Sequence, residues 1–259
     1  MMPPIRIPSF AVMAVICFGL FPITAACQKP SRPMAAAAPA ASPMLTFDFL
    51  IEYQCTDMEG KVTQFQVLLD SASGALGFDK YMAGFDSIGE DWHFAVAYPK
   101  GQLVTYGMDP EQGKVAQPFS LTHLLPDAAR KKEVAASFAQ NHKPAGKSVL
   151  ELEAGKFPAT SWTASIGGGD TEEMTLIPAR FNTWLLYLFN TLALDARLPV
   201  SHNFDFTGQV LPDQLVAKSV LVFADGSRSE MKLTYFSPTT YEFDPRGYKL
   251  VREVKAEQE

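Results

Sequence analysis

The sequence predicts an α+β domain that is mainly β: a strongly curved antiparallel sheet, or half-barrel, with two helices packed on one face. Three observations carry this reading. Short runs of aromatic and branched residues recur from Leu45 onward between turn-forming residues, only two segments have helical periodicity, and no repeat of solenoid period is present.

The elements follow in chain order. Leu45 to Gln54 and Val62 to Leu69 read as a hairpin turned at Asp57 to Lys61. Trp92 to Tyr98 and Gln102 to Gly107 are strands joined by Pro99-Lys100-Gly101, where proline presets one turn position and glycine supplies another. Asp127 to Asn141 is a helix with Arg130, Lys131, Lys132 and Glu133 on an exposed side and a narrow apolar side of Ala128, Val134, Ala135 and Phe138; it ends before Pro144. Strands follow at Ser148 to Glu153, Thr160 to Ile166 and Glu172 to Ile177. The second helix is expected over Ala179 to Ala196. Phe181, Trp184, Leu185, Leu188, Phe189 and Leu192 recur at the spacing of one helical face, while Leu186, Tyr187 and Leu194 spread apolarity around the cylinder. Such a helix has to be covered on nearly every side or meet lipid. A strand over Asn203 to Val210 comes next. Last is a hairpin of Leu215 to Ala224 and Ser227 to Phe236 about Asp225-Gly226, a dipeptide suited to a two-residue type I′ turn. Both faces of its first strand are apolar, which predicts a central, covered position.

Composition excludes two classes of protein. With 47% hydrophobic and 19% charged residues, and 19 phenylalanines, the chain is too apolar to be disordered. A net charge of −6 leaves no basic surplus to neutralise phosphates, so nucleic acid is not an expected partner.

The first residues, MMPPIRIPSFAVMAVICFGLFPITAAC, have one early positive charge, a long apolar stretch and small residues at the end, the layout of a secretory signal. The junction Ile23-Thr24-Ala25-Ala26-Cys27 resembles the lipobox of bacterial lipoproteins, with Thr24 where leucine is usual. That resemblance implies a signal peptide over 1–26, acylation at Cys27 and an outer-membrane lipid anchor, since Gln28 follows where aspartate would mark retention at the inner membrane. Ordinary cleavage after Ala26 and an uncleaved anchor are the alternatives. All three place the domain outside the cytoplasm, in the periplasm for an outer-membrane anchor. Residues 27–44 continue as an Ala/Pro-rich tether, able to span up to roughly 50 Å at about 3.1 Å per residue. Residues 45–259 are then read as one domain. Cys55 is its single cysteine, which excludes an internal disulfide and suits a small core residue better than a reactive thiol.

Catalytic and metal-binding spacings are not found. His93, His123, His142 and His202 are scattered without metal-ligand spacing and read as surface or loop residues. Ser229-Glu-Met-Lys232 matches an SxxK string but falls in an expected strand, and Gly167-Gly168-Gly169-Asp170 fits a turn between strands. Glu172-Glu173 and Glu151/Glu153 read as solvated strand edges. The expectation is a noncatalytic protein with no metal and no cofactor.

The order of features adds a family resemblance. Antiparallel strands after a lipobox, inserted helices, Pro212, a Leu/Val-rich strand, Ala224-Asp225-Gly226-Ser227 and the closing Phe243-Asp244-Pro245-Arg246-Gly247-Tyr248-Lys249 resemble the half-barrel of the LolA/LolB-like envelope proteins. The likeness is clearest over Leu211 to Lys249, and the chain departs from LolA in opening with a strand at Leu45. The resemblance implies a curved sheet wrapping helices, with room between them for lipid or acyl chains.

Function is therefore expected to be burial of a lipid or other apolar ligand by an envelope lipoprotein, with Phe181, Trp184, Leu185, Leu188 and Phe189 as contacts. A structural or protein-interaction lipoprotein with a filled core is the alternative, and an envelope hydrolase a third. A cavity of several hundred Å³ separates the first from the second.

Overall fold

Twelve strands, almost all joined to a sequence neighbour by a tight turn, make one open sheet in the computed structural model, which describes residues 44–79, 82, 91–122, 125–187, 206 and 209–251. The first meander is β1 (Leu45–Thr56), β2 (Val62–Asp70), β3 (Ala75–Asp79), β4 (Trp92–Tyr98), β5 (Gln102–Asp109) and β6 (Gly113–Ser120). Helix α1 (Ala128–Asn141) then carries the chain to the opposite edge. From there β7 (His142–Leu152), β8 (Gly155–Gly167), β9 (Asp170–Pro178), β10 (Gln214–Val222) and β11 (Arg228–Phe243) walk back until β11 pairs with β1. The order is β12-β6-β5-β4-β3-β2-β1-β11-β10-β9-β8-β7. β12 (Lys249–Leu250) pairs parallel to β6, so the sheet is mixed rather than wholly antiparallel.

The sheet is strongly curved, as expected. β11 and β4 are four places apart, about 19 Å in a flat sheet. Yet Phe243 and Tyr241 of β11 stack on Phe94 of β4 with ring centroids 4.4 and 5.7 Å apart. On the other side of β11 the turn between β7 and β8 also comes back. Ala154 N–H donates to Phe236 O at 2.8 Å, and Ser237 Oγ donates to Glu153 at 2.6 Å.

Two apolar clusters occupy opposite faces. Along β4, Phe94 and Val96 belong to one cluster while Ala95 and Ala97 belong to the other. A register irregularity at Asp48 moves Phe47 to the first cluster, whereas Phe49 and Ile51 point to the second. In a strand a slip of one residue exchanges faces, so the bulge lets β1 serve both cores. Both helices bury side chains in the larger cluster, α1 through Val134 and Phe138 and a second helix, residues 183–187, through Trp184 and Leu185.

Several local expectations change. The second helix starts at 183, because Ala179 N–H is bonded to Asp213 O and Asn182 accepts Trp184 N–H at 3.1 Å as a cap. Residues 188–196 lie outside the described part. The strand expected over Asn203 to Val210 is, where described, a turn: Gln209 and Val210 both donate to Phe206 O. Asp225-Gly226 does not form a type I′ turn, since only Gly226 has a positive φ, at 84°. Gly226 N–H bonds Phe223 O, Asp225 caps Ser227, and the glycine follows the bend as a bulge. The hairpin's first strand, β10, does lie inside the sheet, between β9 and β11.

Candidate ligand-binding cleft

A cleft of about 830 Å³ opens where five chain segments meet: the β2–β3 turn, the β4–β5 turn, the start of α1, and the paired segments around 180 and 212. Each wall is fixed locally. In the β2–β3 turn, Asp70 accepts Ala72 N–H at 3.0 Å and also the Ser73 hydroxyl, and Ser71 N–H donates to Asp48 at 2.7 Å. Gly74 closes that turn at φ 73°, and a Cβ there would meet Pro99 Cγ at 3.3 Å across the cleft wall. Asp127 caps α1 by accepting Arg130 N–H at 2.7 Å. Ala179 N–H to Asp213 O (2.8 Å) and Thr183 N–H to Pro212 O (2.9 Å) lock the last two segments together.

The lining is amphipathic. Phe181, Leu125, Leu211 and Ala135 supply apolar surface, while Lys131 and Lys132 of α1 and Arg180 supply charge against one carboxylate, Asp213. None of the three cations has a salt bridge among the described residues.

The predicted contacts separate in this geometry. Phe181 lines the cleft and is 9% exposed. Trp184 and Leu185 lie in the packed core and are not among its lining residues; the Trp184 indole N–H donates to Val210 O at 2.7 Å. Leu188, Phe189 and Cys27 lie outside the described residues. Cys55 is buried, and burial pushes its thiol up to about 12.

Sequence reasoning missed two features. Lys131 and Lys132 were legible only as an exposed helix side, because their convergence with Arg180 comes from the tertiary fold. The other feature is a buried polar group. His142 and Glu172, read as a surface histidine and a solvated edge, are 8% and 5% exposed and meet at 3.4 Å. His142, Ala164 and Glu172 form one row across β7, β8 and β9, and the small Ala164 leaves space for the outer two side chains to meet above it. The phase of Glu172 with Met174 and Leu176, both buried, was the available signal. Ser219 donates to the other Glu172 oxygen at 3.3 Å. The carboxylate therefore stands between serine and histidine. Among the described residues no three His, Cys, Asp or Glu side chains gather as a metal site, and no helix is long and apolar enough to cross a membrane.

No family model matches the sequence, and no curated protein matches it. One solved structure, an uncharacterized conserved protein from Thermus thermophilus, aligns at 12% identity over 80% of this chain and 91% of that one, with a TM-score of 0.34.

Proposed function

We propose that the protein is a noncatalytic lipoprotein of the cell envelope, anchored to the outer membrane by acyl groups on Cys27, whose periplasmic domain holds a lipid or other apolar ligand. The observation that carries the ligand reading is the cleft of about 830 Å³ with Phe181 in its wall. Small-molecule sites run from about 300 to 1,000 Å³ and are largely apolar with a few placed polar groups. The site then lies at the entry to the second helix rather than along its stripe. Phe181 remains a contact, and Trp184 and Leu185 hold the helix in place.

The mature chain from residue 27 with Cys27→Ser, which carries neither leader nor acyl group, tests this when purified without detergent. Lipid extracted from it and a fluorescent fatty acid titrated into it are both expected to show binding; repeated absence of both rejects the ligand. The anchor has a separate test. Cys27→Ser should abolish incorporation of labelled palmitate, and an unchanged signal rejects acylation at that residue.

A second reading, a structural lipoprotein with a filled core, draws support from the burial of Trp184 and Leu185 among packed side chains. A ligand-free protein whose melting temperature no amphiphile changes is its expected behaviour.

A further inference from the structure

We propose that the cleft selects amphiphiles with an anionic head, a phosphate or a carboxylate, held by Lys131, Lys132 and Arg180. The inference rests on the ligand reading above and specifies its chemistry.

Three observations point to an anion. The protein is acidic overall, with a net charge of −6, yet the cleft sets three cations against the single carboxylate of Asp213. The second observation is where two of those cations sit. Apart from its cap Asp127, α1 has no acidic residue at its start, and Arg130, Lys131 and Lys132 occupy its N-terminal end, where the helix dipole disfavours positive charge. Arg130 is balanced by Glu133 at 2.8 Å, whereas Lys131 and Lys132 make no salt bridge among the described residues. An anion in the cleft would relieve that repulsion and complete the site. Third, the hydroxyls of Ser71 and Ser73 are already engaged with Asp48 and Asp70, which leaves the Asn182 amide and the three cations as side-chain donors in the wall. That capacity is mostly cationic, and guanidinium and ammonium groups match phosphate and carboxylate oxygens. Phe181, Leu125 and Leu211 beside these charges give the ligand its apolar half.

The test is a titration of the mature chain from residue 27 with Cys27→Ser, using four probes below their micellar concentrations: dodecyl phosphate, laurate, a neutral dodecyl polyethylene glycol ether, and inorganic phosphate. At low salt the two anionic amphiphiles should bind about tenfold more tightly than the ether, and the difference should shrink as salt screens the cleft. The variant Lys131→Gln/Lys132→Gln/Arg180→Gln should lower anionic affinity to that of the ether. These side chains are exposed and the helix dipole disfavours two of them, so the variant should melt no lower than the parent. Asp213→Asn, which removes the opposing carboxylate, should tighten anionic binding about two- to threefold, and Lys147→Gln on β7 should change nothing. Equal affinity for charged and neutral chains overturns the selectivity and leaves the apolar reading standing. Tight inorganic phosphate with no binding of the ether, and no gain from the dodecyl chain, overturns the amphiphile and the apolar reading together. Binding of no probe overturns both.

Discussion

Phe47 lies against the backbone of Gly77 so closely that a Cβ on the glycine would meet the ring's Cζ at 2.5 Å. The same Cβ would meet Phe94 Cζ at 2.9 Å, so two aromatic rings use the space that a side chain on β3 would fill. Gly77→Ala should therefore cost about 1–3 kcal/mol, the usual penalty for overfilling a packed core. Urea denaturation of the single variant and of Gly77→Ala/Phe47→Leu checks this. The smaller side chain should recover part of the loss, and strictly additive losses would show that the two residues do not compete for one space.

Two buried phenols serve the irregularity where β10 pairs with β9 between Val216 and Lys218. Tyr53 donates to Val216 O at 2.7 Å, and Val216 N–H donates to the Tyr187 hydroxyl at 2.9 Å. Tyr187→Phe would leave that buried N–H without its phenol partner, and a loss of about 1–3 kcal/mol is expected. An unchanged denaturation midpoint would mean that the bulge finds another partner.

The Cys55 thiol gives the alkaline side of the stability curve a predictable shape. Burial holds its proton up to about 12, whereas an ordinary thiol loses it near 9. Between those values the folded state binds more protons than the unfolded one, so stability is complete below pH 9 and falls as the pH rises toward 12. Burial also raises the Tyr53 and Tyr187 hydroxyls, which steepens the fall above pH 10. Melting temperatures of the protein and of Cys55→Ala between pH 7 and pH 11 measure it, and the variant should lose the part of the slope that begins near 9. Iodoacetamide should label Cys55 at neutral pH only after denaturation.

His142 and Glu172 meet above Ala164, so that alanine cannot grow. Ala164→Leu should separate the pair and destabilise by about 1–3 kcal/mol, and Glu172→Gln should cost a similar amount through a weakened buried bond. If both variants matched the parent in urea, the pair would have no structural role.

Asp127 fixes the end of α1 that presents Lys131 and Lys132 to the cleft. Its replacement by alanine should lower stability by about 0.5–2 kcal/mol. The same variant should weaken binding of dodecyl phosphate, because the first turn frays.

Strands with clear boundaries were legible from their residues alone. Trp92–Tyr98 ends at a Pro-Lys-Gly turn and was placed to the residue, and Val62–Asp70 differs by one. Others hide for physical reasons. β3 is five residues, ALGFD, buried on both faces, so it shows no alternation. β6 contains Pro118, which speaks against a strand until its place near the sheet edge is known, and β12 is two residues long. The cleft was the least legible feature. Phe181 stands at a helical spacing that it does not use, since the helix starts at 183, and the partnership of Lys131, Lys132 and Arg180 depends on how segments far apart in sequence are tied together.

The pairing of β1 with β11 makes the domain late to complete. A chain emerging amino end first, from a ribosome or a translocon, exposes β1 and β2 early, but the strand that covers the other side of β1 begins at Arg228. Until then β1 is an open edge of the first meander, which also lacks Tyr241 and Phe243 over Phe94. Such long-range closure is intrinsically slow and leaves sticky intermediates in the meantime. The same geometry leaves the sheet in two pieces until nearly the whole chain is available.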